Sequence, residues 1–592
     1  GYLEQKRNKF PRFYFVSNPV LLQVLSQGSD PEAMQPFYEK VFDAISSVIH
    51  NEEDKAMIEG MINRKGNQQE IVPFNKPVHA KGNIEDWLGV LVAEMRSTLK
   101  DVTRNCAYSV DDMGDSVSDL EDFVNKFQGQ FALLGIQIWW TMDIEDALEA
   151  ASSSGGGSGK KNAVRDALDK SKLILETMSH WTLDGSLTKM ARTKIETNIT
   201  IQVHQRDVAQ EIQSLHKRRL LQDASSFDWQ KQARFYWNDE GEEDIVDDNG
   251  CQYIRVADVE FQYQYEYLGV KDRLAITPLT DRCYVTLSQA LGMCFGGAPA
   301  GPTGTGNTET VKDMGRTETV KDMGRTLGLW VCVTNCTDQQ RYTDCAKIFK
   351  GLCQGGMWGC FDEFNRIRLP VLSVVAQQVL AIQNAKKSKA SHFSFPGEDD
   401  PIMLNASCGF FITMNPGYAG RQELPENLKA LFRGVAMMVP DFEIIMKVKL
   451  CAVGYLEFAV LAKKFATLYQ LCNEQLSKQK HYDFGLRNIL SVLRTAGQNK
   501  RDDGGKSSEK ELLYRTLRDM NLSKFVAQDV PLFLSLLADL FPKLSAPADS
   551  SYPEMENCIS NAIVKKGLVE HKHWVKKIIQ LYETTLVRHG IM

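Results

Sequence analysis

Three short stretches of the chain carry residue types that could do chemistry on a phosphate. The first is Gly301-Pro302-Thr303-Gly304-Thr305-Gly306-Asn307-Thr308. It keeps the frame of a phosphate-binding loop, G-x-x-x-x-G-K-[ST], with one departure. Glycines such as Gly301, Gly304 and Gly306 let the backbone curl so that successive N–H groups point at phosphate oxygens, and a helix starting beyond them adds its dipole. Thr308 stands where a hydroxyl ligates Mg²⁺, and Asn307 where a lysine reaches the outer phosphates. Asparagine can donate a hydrogen bond but is short and uncharged, so the loop reads as a cradle whose competence for chemistry is reduced. The second stretch, Trp358-Gly359-Cys360-Phe361-Asp362-Glu363-Phe364-Asn365, is a short apolar run ending in two acids. In nucleotide hydrolases the first such carboxylate holds Mg²⁺ through water and the second polarises the attacking water. The third, Gly409-Phe410-Phe411-Ile412-Thr413-Met414-Asn415-Pro416, ends in an amide that could orient that water. A lone glycine-rich turn is more often a loop without a ligand, and a lone Asp-Glu is more often a solvated pair of acids. Three apolar strands with these ends, in this order, point instead to a P-loop α/β module.

Such a module needs buried parallel strands joined by helices. The apolar run Gly292-Met293-Cys294-Phe295 precedes the glycine-rich stretch, and Glu309 to Met314 follows it with helical character. Residues 441 to about 541 read as helices, with Leu461 to Tyr469 in period and a polar loop at 498–506. Residues 1 to about 150 show helical periodicity and no site chemistry, which suits a bundle acting as a lever. There, Ile84, Trp87, Leu88, Leu91 and Met95 share one helix face. The aromatic segment Phe10 to Val16 reads as core, and Val20 to Leu25 as helix. Ser152 to Lys161 has the composition of an exposed flexible loop. The acidic run Asp239 to Asp248 reads as a solvated turn of a β-hairpin between Phe235-Tyr236-Trp237 and Tyr253-Ile254-Arg255-Val256.

The motifs resemble the first AAA+ module of a dynein heavy chain, of axonemal, outer-arm type. The resemblance is carried by Leu274 to Cys283 (LAITPLTDRC), Gly296 to Pro302 (GGAPAGP), Trp358 to Arg366 (WGCFDEFNR) and Ile412 to Arg421 (ITMNPGYAGR). Glu423 to Lys429 (ELPENLK) and Phe484 to Arg487 (FGLR) continue it. It covers nearly the whole chain and implies an α/β P-loop AAA+ module, a parallel sheet with flanking helices and a helical lid, preceded by an α-helical linker bundle with a small β-hairpin. The implied domains are the C-terminal part of the linker at 1–261, the large AAA+ subdomain at 262–440, the lid at 441–541 and the start of a second module at 542–592. The implied cofactors are ATP or ADP and Mg²⁺. By resemblance, Pro278 and Leu279 line the adenine pocket, Gly301 to Thr308 bind phosphates, and Thr308 and Asp362 serve the metal. Glu363, Asn415 and Arg487 are catalytic, and Arg433 is an arginine finger for a neighbouring module. Only the motif distinguishes Arg433 and Arg487 from ordinary surface arginines. The implied partners are the rest of the ring, other dynein heavy, intermediate and light chains, and microtubules through parts outside these residues. The implied setting is the cytoplasm and the axoneme of a cilium or flagellum.

Composition agrees with a multidomain chain. Its 592 residues are 43% hydrophobic, enough for sizeable cores. A net charge of −6 does not suggest nucleic acid. No apolar run approaches the roughly 20 residues of a membrane span, and no signal peptide is visible. The thirteen cysteines form no C-x-x-C pair. Cys332 with Cys336, or Cys353 with Cys360, lack histidines at metal-site spacing, so reduced buried thiols are the expectation. The ends of the sequence read as those of a fragment.

One feature departs from the family. Residues 308–316, TETVKDMGR, are repeated without change as 317–325. Nine residues add about 900° of helix rotation, a net half turn, and about 13.5 Å of length. A continuous helix would turn its buried face to solvent halfway along. Three outcomes are open: one copy loops out, the sheet is disturbed, or the repeat and Asn307 are errors in the recorded sequence. The leading expectation is a motor ATPase. The alternatives are a nucleotide-holding or catalytically impaired module and, disfavoured by the linker-like segment, another AAA+ remodelling protein.

Overall fold

The computed structural model describes residues 1–28, 30–65, 68–152, 162–239, 250–300, 309–414, 423–438, 441–542, 544 and 552–587. The expected loop at 152–161, most of the acidic turn, the stretch 301–308 and Asn415 lie outside them, Ser152 excepted. The chain divides into two compact units. The first comprises Gly1–Met178, Ser186–Thr303 and Lys312–Val439; the second comprises Ser179–Gly185, Gly304–Val311 and Pro440–Met592.

The first unit opens with helix α1 (Tyr2–Lys9), a 3-10 turn over Pro11–Phe15 and α2 (Asn18–Ser26). Phe10, Phe13, Tyr14 and Val16 are buried, as their density suggested. The expectation of a purely helical N-terminal region is corrected here. Strands β1 (Ser47–His50), β2 (Met57–Lys65) and β3 (Gln68–His79) form an antiparallel sheet in that order. Pro73 and Pro77 within β3 exclude a helix there, because proline has no N–H and clashes with the preceding turn. Beyond the sheet, α3 (Ile84–Met113) buries all five residues of the expected face. Helices α4 (Gly129–Ser152), α5 (Ala163–Trp181) and α6 (Lys189–Lys217) follow. The expected hairpin is present as β4 (Arg234–Asn238) and β5 (Cys251–Val256), and β6 (Val259–Gln262) extends it to three strands.

The remainder of this unit is a five-stranded, wholly parallel sheet. Its strands are β7 (Gly296–Ala300), β8 (Val331–Asn335), β9 (Trp358–Asp362), β10 (Gly409–Ile412) and β11 (Phe432–Ala436). They lie in the order β11-β7-β10-β9-β8. Parallel neighbours need long crossovers. These are supplied by α8 (Glu309–Thr326), α9 (Tyr342–Gly355) and α10 (Leu369–Lys387), while α7 (Pro278–Gly292) leads into β7. The first sheet strand is therefore Gly-Gly-Ala-Pro-Ala, one step beyond the apolar run that flagged it. A Cβ at Gly296 would lie 2.4 Å from the Phe432 ring, and one at Gly297 would lie 2.6 Å from Leu287, so the glycines permit the close approach. The core joins Phe349, Leu352 and Phe361 to Val375, Val379, Phe410 and Ile412.

The second unit is helical. It contains α11 (Phe442–Ala452), α12 (Phe458–Gln475), α13 (Leu486–Asp503), α14 (Glu509–Leu522) and α15 (Val530–Leu540), then α16 (Pro553–Lys565) and α17 (Lys572–Val587). Leu461, Phe465, Ile489, Leu513 and Phe533 meet in its core. The polar loop expected at 498–506 is corrected. The helix runs on to Asp503, because its polar residues find partners on neighbouring elements: Asn499 donates to the Thr516 hydroxyl at 2.8 Å, and Lys500 pairs with Glu509. It ends only at Gly504, in the left-handed conformation with φ +58°.

Candidate active site

Strand β9 is buried from Trp358 to Phe361, so its sequence delivers Asp362 and Glu363 to the sheet's C-terminal edge. Pairing runs Phe361↔Ile412 and Asp362↔Asn335, which sets Thr413 beside the acids. An isolated bridge joins Ala300 to Met414, so β7 delivers the chain toward Gly301 beside the end of β10. Ligands of open parallel sheets bind outside the carboxyl ends of the strands.

The acids are tightly placed. The Thr413 amide donates to Phe361 O at 3.0 Å, and the Phe364 amide donates to Thr413 O at 3.0 Å. The Thr413 hydroxyl accepts from the Glu363 amide at 3.2 Å and donates to the Asp362 carboxylate. Glu363 adopts a left-handed backbone, φ +53°, which non-glycine residues rarely take without support. Its carboxylate pairs with Arg366 Nε at 2.6 Å. Nearby thiols are inert: burial pushes Cys360 up to about 12 and raises Cys336 further, so neither is a thiolate at neutral pH. None of the thirteen cysteines is in a disulfide, and no cluster of metal-ligating side chains occurs among the described residues.

Of the other expected residues, Pro278 is exposed and Leu279 half-buried at the start of α7, where Thr277 caps the helix by accepting from the Thr280 amide. Arg433 is exposed on the edge strand β11. Arg487 lies near the start of α13 in the second unit. Gly301, Gly304, Gly306, Asn307, Thr308 and Asn415 fall outside the described residues. The structure thus brings Asp362 and Glu363 together and adds Thr413 and Arg366. Both lie inside the motifs that carry the resemblance, Trp358 to Arg366 and Ile412 to Arg421, but no role attached to them there; the role of Thr413 follows from cross-strand register.

The repeat settles into one helix. Glu309–Thr326 is continuous and the parallel sheet is complete, so neither looping-out between 309 and 326 nor a broken sheet is observed. The second copy packs against the module, with Thr319, Val320, Asp322 and Met323 buried. The Asp322 carboxylate accepts from Arg273 Nε at 2.8 Å, from the Leu274 amide at 3.1 Å and from the Tyr284 hydroxyl. Burial acts to raise this carboxyl, but Arg273 and the hydrogen bonds outweigh it and hold it below the usual range. Burial on the packed face is seen for the second copy, in a helix that is continuous from Glu309 to Thr326.

A parallel sheet of this order, with paired acids ending a buried strand beside the exit of the first strand, fits an α/β AAA+ module. The family described as the hydrolytic ATP binding site of the dynein motor region matches residues 263–316 and 314–592. The two matches overlap at residues 314–316, at the end of the first copy of the repeat. Residues 1–106 match dynein heavy chain, N-terminal region 2. Along its whole length the chain is 50% identical to the dynein gamma chain of the flagellar outer arm of Chlamydomonas reinhardtii and 49% identical to mouse dynein axonemal heavy chain 8. It is 44% identical to the ciliary dynein beta chain of Heliocidaris crassispina. The chain spans 12% of the length of each of these relatives. The chain belongs to the dynein heavy chain family.

Proposed function

We propose that these residues form the linker base and first AAA+ module of an ATP-driven, minus-end-directed microtubule motor of the ciliary or flagellar axoneme. The observation that carries the reading is the Asp362–Glu363 pair at the sheet's C-terminal edge, beside the exit of β7 toward Gly301, in a chain of this family. Residues 1–261 act as the lever. The rest of the heavy chain completes a ring, other heavy, intermediate and light chains are partners, and the microtubule is gripped by segments outside these residues.

The donor set fits a divalent cation, since Asp362 is a half-buried carboxylate with one oxygen held by Thr413. Asp362, with Thr308, would hold Mg²⁺, which when bound neutralises phosphate charge and orients the nucleotide. Glu363 accepts the proton of the attacking water at its carboxylate, once that carboxylate leaves Arg366. Asn415 orients the same water. Pro278 and Leu279 offer apolar contact to the base, Arg487 contacts the outer phosphate, and Arg433 serves a neighbouring module. The second reading, a nucleotide-holding module with impaired turnover, is favoured by Asn307 at the lysine position and by the repeat.

The test uses the full heavy chain on an Asn307→Lys background. Glu363→Gln should leave ATP affinity nearly intact while abolishing single-turnover hydrolysis. Asp362→Asn should also weaken Mg²⁺-dependent binding. Hydrolysis by Glu363→Gln at the parent rate removes the assignment of the base and, with it, the motor-ATPase reading of this module.

A further inference from the structure

Thr413 is 1% exposed and sits where β10 ends. Its own amide and carbonyl are engaged by Phe361 and Phe364, so the residue cannot turn away from β9. Its hydroxyl stands between Asp362 and Glu363. A backbone N–H can only donate, so the hydroxyl accepts from Glu363 at 3.2 Å. An ionised carboxylate can only accept, so the single hydroxyl proton goes to Asp362. The direction of both bonds is therefore fixed by chemistry. One buried hydroxyl fixes the side chain of the first acid and the backbone of the second.

We infer that Thr413 is a positioning residue of the nucleotide site. It holds the Asp362 carboxylate in one orientation toward the cation, and it anchors the left-handed turn that presents Glu363. The inference rests on the proposed roles of Asp362 and Glu363. Partners that orient a metal-binding carboxylate typically matter about tenfold to a hundredfold in metal affinity or activity. Valine matches the shape of threonine but leaves the Asp362 oxygen and the Glu363 N–H without their partner. Serine restores the hydroxyl.

The experiment titrates Mg²⁺ at fixed ATP in the full heavy chain carrying Asn307→Lys, with ATP binding as readout. Thr413→Val should raise the half-saturating Mg²⁺ concentration at least about tenfold, while ATP binding without Mg²⁺ stays at the parent level. Thr413→Ser should recover most of the shift. Asp362→Asn marks the underlying site. If that variant leaves the Mg²⁺ dependence unchanged, the reading of the site falls, and this inference with it. If Asp362→Asn shifts the dependence and Thr413→Val does not, the Thr413 assignment alone falls. Loss of ATP binding by Thr413→Val with and without Mg²⁺, together with a lowered unfolding temperature, would reduce Thr413 to packing and equally overturn it.

Discussion

Asn307 decides how strongly this site can act on a phosphate. A charge-assisted hydrogen bond contributes about 1.5–3 kcal/mol where a neutral one gives about 1, and each 1.36 kcal/mol is a factor of ten in rate. The difference of about 0.5–2 kcal/mol means that Asn307→Lys should raise both ATP affinity and turnover in the full heavy chain, by about twofold to thirtyfold. Equal ATPase rates for the matched pair remove the argument. A second residue tests the fold rather than the site. Burial raises the Asp143 carboxyl to about 6, although Lys170 Nζ lies 2.8 Å away. In the unfolded chain its value is about 3.9. The folded state holds this proton more tightly, so the residue costs stability as pH rises from about 4 to about 6, and the full cost persists above. Asp143→Asn should therefore stabilise the protein near pH 7.5 by about 1–3 kcal/mol, with the difference vanishing near pH 4. Amide exchange of α4 at the two pH values measures it, and a difference independent of pH contradicts the sign. Asp362 and Glu363 were legible in sequence because an apolar run that stops in acids has to end at a sheet edge. Thr413 was not, because a β-branched residue in Phe-Phe-Ile-Thr reads as strand filling until register sets it against Asp362.

Among the elements, β9 and β10 were legible as buried apolar runs and α3 as a periodic face, whereas β8 and β11 were not, because both are only partly buried and carry polar or charged residues. Strand β7 was displaced in the sequence reading because two glycines, two alanines and a proline have no apolar weight. Their place in the sheet depends on how closely Phe432 and Leu287 approach. The β1–β3 sheet was missed because its alternation is broken by a bulge near Ile58 and Gly60 and by prolines. The repeat helix shows where periodicity fails as a guide. With the two copies half a turn out of phase, one apolar face cannot serve both. Tertiary contacts choose: the chain from Thr317 onward keeps the Arg273–Asp322 pair and the burial of Val320 and Met323. Because the copies are identical, removing either leaves the same chain. Deleting 317–325 should thus retain that packing, and it should raise thermal stability by removing a half-turn-misplaced copy. In the undeleted protein, amides from 317 to 326 should exchange far more slowly than those of 309–316. Equal strong protection of both copies counts against this division.

At the scale of the molecule, the lever proposed for residues 1–261 can act only if its base is fixed to the module whose site turns over. Within the first unit that fixation centres on Arg12. Its guanidinium pairs with Glu266 through two bonds, at 2.8 and 2.6 Å, and donates to Val41 O at 3.2 Å. It also lies 5.0 Å from the Phe42 ring centre and 5.3 Å from that of Trp330, the residue before β8. Both partners are almost fully buried. Around it, Lys350 of α9 binds Glu4 and Glu398, and Gly351 lets Tyr14 approach so closely that a Cβ would lie 2.6 Å from it. Helix α9 runs directly into β9 and hence to Asp362. Removing one member of a buried pair leaves an uncompensated charge and costs about 3–5 kcal/mol, whereas replacing both by apolar groups is often neutral. Arg12→Met and Glu266→Leu should each destabilise the unit by about that much, and the double variant by clearly less than their sum. In the full heavy chain, either single change should leave ATP turnover largely intact while slowing microtubule gliding, because the lever's base yields under load. If turnover and gliding fall in proportion, Arg12 supports the fold of the site and transmits nothing, and the path from β9 through α9 to the N-terminal segment has to be abandoned.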